Sequence, residues 1–209
     1  MITPLDTQAT PSPAGALLID EVMPVYEVRQ VQHVVVEALP SQTFAAIDRL
    51  DFGRDRLVQA ISQIRLLPDR LGRRREQPAD AATDYEQFTA MWTPLGEEPG
   101  VQKVLGLVGA FWRRDAGLTK VAAEDFTAFE RPGFGKVALG YTVTPYGRRR
   151  SILTTETRVA LTDEAARRRF RRYWLLIGPG ARFIMGRALK LMRADAERQA
   201  ATGEVVTPR

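Results

Sequence analysis

The chain has 209 residues, with 30 lysines and arginines, 25 aspartates and glutamates, one histidine and no cysteine. The lack of cysteine excludes disulfides, a thiol nucleophile and a zinc–thiolate site, and a single histidine excludes any site that needs two imidazoles. The net charge of +5 is concentrated at the C-terminal end, where residues 163–209 hold eleven basic and five acidic residues.

The two ends of the chain differ in composition from its middle. Residues 1–15 contain three prolines among small and polar residues, which predicts a disordered N-terminal tail. We expect a single domain over residues 16–201 and a loose C-terminal tail at 202–209. Because residues 1–15 lack the basic start of a signal peptide and no apolar run reaches the ~18–20 residues of a membrane span, a cytoplasmic location is expected.

The first predicted element is a strand over residues 26–38, which are rich in β-branched side chains. Gln32 shares one face of this strand with Val34 and Val36. Two short helices are predicted next, one after Pro40 and a second over residues 54–66.

A run of antiparallel strands follows. Alternating apolar residues predict strands over Phe88–Trp92, around Leu105 to Phe111, over 137–143 and over 153–161. The links between them, such as residues 97–100, have the composition of short turns. Phe126 and Phe129 are predicted to lie in a short strand or turn.

The last predicted element is one long helix over residues 163–200. Its apolar residues recur at steps of four and three, in the order Phe170, Trp174, Ile177, Ala181, Ile184, Ala188 and Leu191. The phase is unbroken across Pro179, so we expect a continuous helix although an internal proline removes one hydrogen bond.

This order of elements predicts an α+β fold in which a curved antiparallel sheet wraps around the C-terminal helix. Over residues 24–200 the chain resembles the START-related helix-grip superfamily, also called SRPBCC or polyketide cyclase-like. The resemblance lies in VVVEALP at 34–40, GLVGAFW at 106–112, TETRV at 155–159 and the helix from Asp163, and it points to uncharacterised bacterial members. It implies a hydrophobic ligand held between the sheet and the long helix.

Candidate contacts for such a ligand are the polar and aromatic side chains on the predicted inner faces. The polar ones would hydrogen-bond the ligand, and the aromatic ones either fill the core or line a pocket. They are Gln32, Tyr141, Thr155 and Thr157, together with Trp92, Phe111, Phe170 and Trp174.

The opposite faces carry charged residues. Alternation places Glu156 and Arg158 opposite Thr155 and Thr157, so both are expected in solvent; the alternative is that the pair orients a polar ligand head or tunes a proton-transfer group. His33 is expected outside the cavity or packed at an edge. No set of catalytic residues can be assigned. No metal-ligand spacing or phosphate loop is present, so neither a metal nor another cofactor is expected.

These patterns leave three functions open. The first is binding or transport of a hydrophobic or amphipathic small molecule or lipid, and the second is an enzyme of the cyclase or aromatase type. The third is a domain that binds a partner or an anionic membrane surface through the arginines at 167–172. No groove-reading motif accompanies those arginines, so nucleic acid is not an expected partner, and the sequence carries no signal of oligomeric state.

Overall fold

A computed structural model describes residues 17–50, 90–113 and 116–202. Along these residues the elements are α1 (Leu18–Val22), β1 (Val28–Val36), α2 (Pro40–Asp48), β2 (Thr93–Glu98), β3 (Gln102–Gly109), α3 (Ala123–Phe126), β4 (Gly135–Tyr146), β5 (Arg150–Leu161) and α4 (Glu164–Thr202). The predicted helix at 54–66 and the predicted tails at 1–15 and beyond Thr202 lie outside the described residues.

The five described strands form one curved antiparallel sheet in the order β1-β5-β4-β3-β2. Tight turns join neighbouring strands, because Tyr146 pairs with Arg150 and Glu98 with Gln102. Gly147 and Gly100 adopt positive φ values of 71° and 81° in these turns, where a side chain would strain the backbone. The predicted α+β class with a curved antiparallel sheet and a long C-terminal helix is confirmed.

Two local predictions differ from the structure. β2 begins at Thr93, after Trp92, and includes the Glu97 and Glu98 that composition assigned to a turn. Pairing with β3 satisfies the backbone there, and Glu97 adds a cross-strand ion pair of 3.0 Å with Lys103. Phe126 ends the one-turn helix α3 instead of lying in a short strand or turn.

The long helix α4 is continuous through Pro179, as its apolar period predicts. Its first turn is capped by Asp163, whose Oδ1 accepts a 2.8 Å hydrogen bond from the N–H of Ala166. Pro179 lies on the exposed side of the helix, so water can reach the carbonyl that the proline leaves unpaired. No described helix has the length and apolar content needed to cross a membrane.

Apolar clusters lie on both faces of the sheet. On one face, α4 packs over β1 and β5 and against α2. The C-terminal half of α4 covers a cluster that includes Val36, Phe44, Leu153 and Met192. Its N-terminal half covers a second cluster that includes Leu107, Phe111, Val159 and Phe170. On the other face, α1 and α3 cover a third cluster that includes Ile19, Val104, Val108 and Phe126.

Candidate functional site

Three of the polar residues predicted from alternation form a row across neighbouring strands. The register pairs Gln32 of β1 with Thr155 of β5, and Thr155 with Tyr141 of β4. Directly paired residues share a face of the sheet, and this face is the one that α4 covers. Tyr141 and Thr155 are buried, and Gln32 is half-buried. Tertiary structure therefore brings these three side chains together under the long helix.

Thr155 has an unusual environment within this row. Its side chain is 2% exposed, and its hydroxyl has no hydrogen-bond partner in the part of the chain that the structure describes. Its same-face neighbour on β5 is the fully buried Leu153. A buried hydroxyl left without a partner costs about 1–3 kcal/mol, so this oxygen can gain free energy from a polar group brought to it.

Gln32 connects the row to the long helix. Its Nε2 donates a 2.9 Å hydrogen bond to the carbonyl oxygen of Arg182 in α4. A Cβ atom at Gly186 would lie only 2.9 Å from the Gln32 Oε1, so the glycine allows α4 to approach β1 closely at this point. The helix is thus anchored to the edge strand beside the polar row.

The predicted apolar stripe of α4 is buried unevenly. Phe170 and Ala188 are buried, whereas the four residues between them are only half-buried: Trp174, Ile177, Ala181 and Ile184. Beyond Ala188 the buried residues are Leu189, Met192 and Ala196, whereas the predicted Leu191 is only half-buried, because α2 packs against that side of the helix. The middle of α4 therefore covers the sheet less completely than its two ends.

The predicted aromatic contacts lie mainly towards the N-terminal half of α4. Phe170 stacks on Trp174 with ring centroids 5.4 Å apart, and Phe111 belongs to the same cluster. Trp92 packs against this cluster and against the one below the C-terminal half of α4. Thr157 is half-buried and pairs with Gln30 and Leu139. It is the next residue after Thr155 on the same face of β5, on the side of the aromatic cluster.

The expectation that Glu156 and Arg158 lie in solvent is wrong. Their side chains are 8% and 4% exposed and form a 2.6 Å salt bridge on the sheet face away from α4. The helix α1 covers them, and Arg158 donates hydrogen bonds of 3.2 and 2.9 Å to the carbonyls of Ile19 and Met23. The sequence feature that could have predicted this burial is the short apolar segment at 17–23, because such a segment must pack against another element, here this face of the sheet.

Both members of this pair remain charged. Burial raises the pKa of Glu156, but the hydrogen bonds from Arg29 and Arg158 outweigh it and lower the pKa below its ordinary value. Burial lowers the pKa of Arg158, but the hydrogen bonds to Asp20 and Glu156 outweigh it and raise this pKa above its ordinary value. The ionic network therefore fastens α1 to the sheet.

Two recesses lined by described residues lie away from the interface between the sheet and α4. One of about 230 Å³ is lined by Arg29, Gln102, Thr154 and Glu156 beside α1, and one of about 420 Å³ lies beside α3.

His33 is exposed on the face away from α4, as predicted. Over the described ranges, no three histidine, aspartate or glutamate side chains are grouped as metal ligands.

Comparisons with known proteins add little to this geometry. No family model matches the sequence, and no curated protein matches it. One solved structure that aligns is TTHA0849 from Thermus thermophilus, with a TM-score of 0.29, 8% identity, and 85% of this chain and 100% of that chain covered. Another is norcoclaurine synthase from Thalictrum flavum in complex with dopamine and hydroxybenzaldehyde, with a TM-score of 0.29, 13% identity, and 95% and 100% covered.

Likenesses this weak carry no argument about function. The class of the protein is defined by its own architecture, which is an α+β domain of the helix-grip type, with a curved antiparallel sheet and a long C-terminal helix.

Proposed function

We propose that this protein binds a hydrophobic or amphipathic small molecule between the sheet and α4, with the hydroxyl of Thr155 hydrogen-bonded to the polar group of that molecule. The observation that carries the proposal is the buried Thr155 oxygen without a partner among the described residues. It lies between Gln32 and Tyr141 on the face that α4 covers. The resemblance of the sequence to helix-grip proteins, which hold ligands at this interface, agrees with the proposal.

The middle of α4 supplies the apolar side of the proposed site. Ile177, Ala181 and Ile184 follow the stripe that faces the sheet, yet they are only half-buried. Covering an apolar side chain contributes about 25 cal/mol per Å² of surface removed from water. A ligand seated against this stretch would gain that contribution.

The distribution of polarity indicates the kind of ligand. Small-molecule sites are mostly apolar and hold few polar groups, which set the orientation of the ligand. Here the polar row lies on a face that also carries Leu153, Leu139 and Val159, and the stacked pair of Phe170 and Trp174 lies farther towards the N-terminus of α4. We therefore expect a molecule with one hydroxyl or carbonyl at the polar row and a hydrocarbon or aromatic body.

The proposal is tested with naphthalene and 2-naphthol, two probes that differ by one hydroxyl. Isothermal titration should show that the wild-type protein binds 2-naphthol about fivefold more tightly, the factor that one hydrogen bond contributes. In Thr155→Val this preference should disappear while naphthalene binding is retained. The matched control is Thr154→Val, the neighbouring threonine on the opposite face of β5, which should keep the preference.

Two further measurements, of stability and of native mass, do not depend on a chosen probe. The stability of the ligand-free protein should rise by about 1 kcal/mol in Thr155→Val, because the substitution removes a buried unpaired hydroxyl. Native mass spectrometry should detect a co-purified small molecule in the wild type. The proposal is overturned if neither probe binds and the protein is consistently empty, or if the Thr154 and Thr155 variants have the same probe preference.

A further inference from the structure

The side of α4 that faces away from the sheet carries large apolar residues that are exposed to solvent. Leu175 and Leu176 are 78% and 79% exposed, and Phe183 is 50% exposed. Phe183 follows Leu176 by seven residues, or about two turns, so the three side chains lie on one side of the helix. Isolated exposed leucines are common on protein surfaces, but a cluster of this kind marks a surface that contacts something apolar.

Arginines surround these apolar residues. Arg171 and Arg172 precede Leu175 and Leu176 by four residues each, which places each arginine one turn away on the same face. Arg182 adjoins Phe183, and all three arginines are exposed. Within the described ranges no acidic side chain forms an ion pair with any of the three. The basic–apolar face is defined as Arg171, Arg172, Leu175, Leu176, Arg182 and Phe183.

The charge around this face has one sign. Residues 165–194 contain nine lysines and arginines and no aspartate or glutamate. An isologous contact with a second copy of the chain would place the same patch against itself, so arginines would oppose arginines. A negatively charged surface with an apolar layer beneath it matches both the arginines and the leucines.

We propose that the basic–apolar face docks on the surface of an anionic lipid bilayer. Leu175, Leu176 and Phe183 would enter the boundary between headgroups and acyl chains, as the apolar face of an interfacial helix does. The arginines would extend their apolar stems along this layer and keep their guanidinium groups at the lipid phosphates.

The domain can dock in this way without rearranging. The basic–apolar face lies on the opposite side of α4 from Phe170 and Ala188, which pack in the core. Docking would therefore leave the polar row at Thr155 covered as it is. This inference does not depend on the proposed ligand, and vesicle binding is measured in the absence of any small molecule.

The test is co-sedimentation of the full chain with two kinds of vesicle, phosphatidylcholine alone and phosphatidylcholine with one third phosphatidylglycerol. The wild type should bind the second kind only, and less strongly as salt is raised. Each arginine near an anionic leaflet contributes about fivefold to partitioning, so Arg171→Gln/Arg172→Gln should weaken binding about 25-fold. Leu175→Ser/Leu176→Ser should weaken it at least about tenfold at constant charge.

Matched variants control for charge and for exposed apolar surface. Arg148→Gln/Arg149→Gln removes the same two charges from exposed positions in the turn between β4 and β5. Val25→Ser/Val101→Ser removes apolar side chains that are 79% and 47% exposed elsewhere. Both controls should bind vesicles within about twofold of the wild type, and every variant should keep the circular dichroism spectrum of the wild type.

Four results would overturn the inference. The first is no binding of wild-type protein to the anionic vesicles, and the second is an equal loss in the Arg148/Arg149 control. The third is unchanged binding in the leucine variant, which would indicate adsorption by charge alone. The fourth is a wild-type dimer in light scattering that the leucine variant converts to a monomer, because the face would then belong to a contact between copies.

Discussion

Arg158 and Glu156, two residues apart on β5, form a buried salt bridge in which Nε and Oε1 are 2.6 Å apart. The same guanidinium donates to the carbonyl of Met23, the C-cap residue of α1, and to that of Ile19, which also accepts the N–H of Met23. A positive charge at a helix C-terminus is favourable because the last carbonyls lack partners within the helix. The pair therefore couples β5 to the N-terminal segment that covers the outer face of the sheet.

Replacement of Glu156 by glutamine should lower the free energy of unfolding by about 2 kcal/mol. Removing one member of a buried ion pair costs about 3–5 kcal/mol, and here Arg158 keeps Asp20 and two carbonyls as partners. Urea denaturation at pH 7 measures the effect. Glu37→Gln is the control, since Glu37 is exposed and lies 3.8 Å from Arg150, and it should cost less than about 0.5 kcal/mol. Equal losses in the two variants would contradict the role assigned to Glu156.

The stability conferred by Glu156 should depend on pH. The arginines lower its pKa in the folded state, so its contribution is complete above the unfolded pKa of about 4.3 and is lost as the pH falls through the folded value. The difference in unfolding free energy between wild type and Glu156→Gln should be constant from pH 6 to 8 and shrink below about pH 4. Urea titrations at pH 7, 5, 4 and 3 measure this, and a difference that grows on acidification would refute it.

The hydroxyls of Thr43 and Ser151 lie 2.7 Å apart and are fully buried between α2 and β5. Ser151 donates to the carbonyl of Ala38, so Thr43 donates to Ser151. Ser151→Ala should cost about 1–3 kcal/mol, because it leaves the Thr43 hydroxyl and the Ala38 carbonyl without this partner.

A double-mutant cycle with Thr43→Val separates the hydrogen bond from the rest of this cost. Thr43→Val keeps the shape of the side chain and removes the donor. The double variant should be less destabilised than the sum of the single variants by about 1 kcal/mol. Additive losses would show that the two hydroxyls contribute independently.

Asp163 links the start of α4 to the turn before β4. Its carboxylate accepts hydrogen bonds from the N–H groups of Ala166 and Gly133, which lower its pKa. Asp163→Ala should lower the melting temperature by about 3 °C, as expected for a lost N-cap in a domain of this size. Asp163→Asn keeps an oxygen acceptor and should recover more than half of that loss. If the two variants have the same melting temperature, the cap does not stabilise the helix.

Short-range pattern was sufficient to predict much of the fold. The period of four and three from Phe170 to Ala188 predicted a continuous α4, and alternation predicted which face of β1 and β5 meets it. The same alternation placed Gln32, Tyr141 and Thr155 on inner faces. Alternation could not predict that they lie side by side in one row. That depends on the strand register, and β1 and β5 are separated by more than a hundred residues along the chain.

The error at Glu156 and Arg158 shows where pattern alone fails. Alternation identifies two faces of a strand, and the more polar face is assigned to water when no covering element is known. Here α1, only five residues long, covers that face, and its backbone carbonyls satisfy the buried guanidinium. A short helix has too weak a periodic signal to be predicted to pack there.

The amino-acid sequence by itself determined the class of the domain, because the periods of apolar residues depend only on local geometry. Tertiary structure alone decided that Thr155 is buried beside Gln32 and Tyr141, that Arg158 faces a helix instead of water, and that Leu175 and Leu176 face solvent. Each of these depends on which element covers a surface, and contacts between residues distant in the chain decide that.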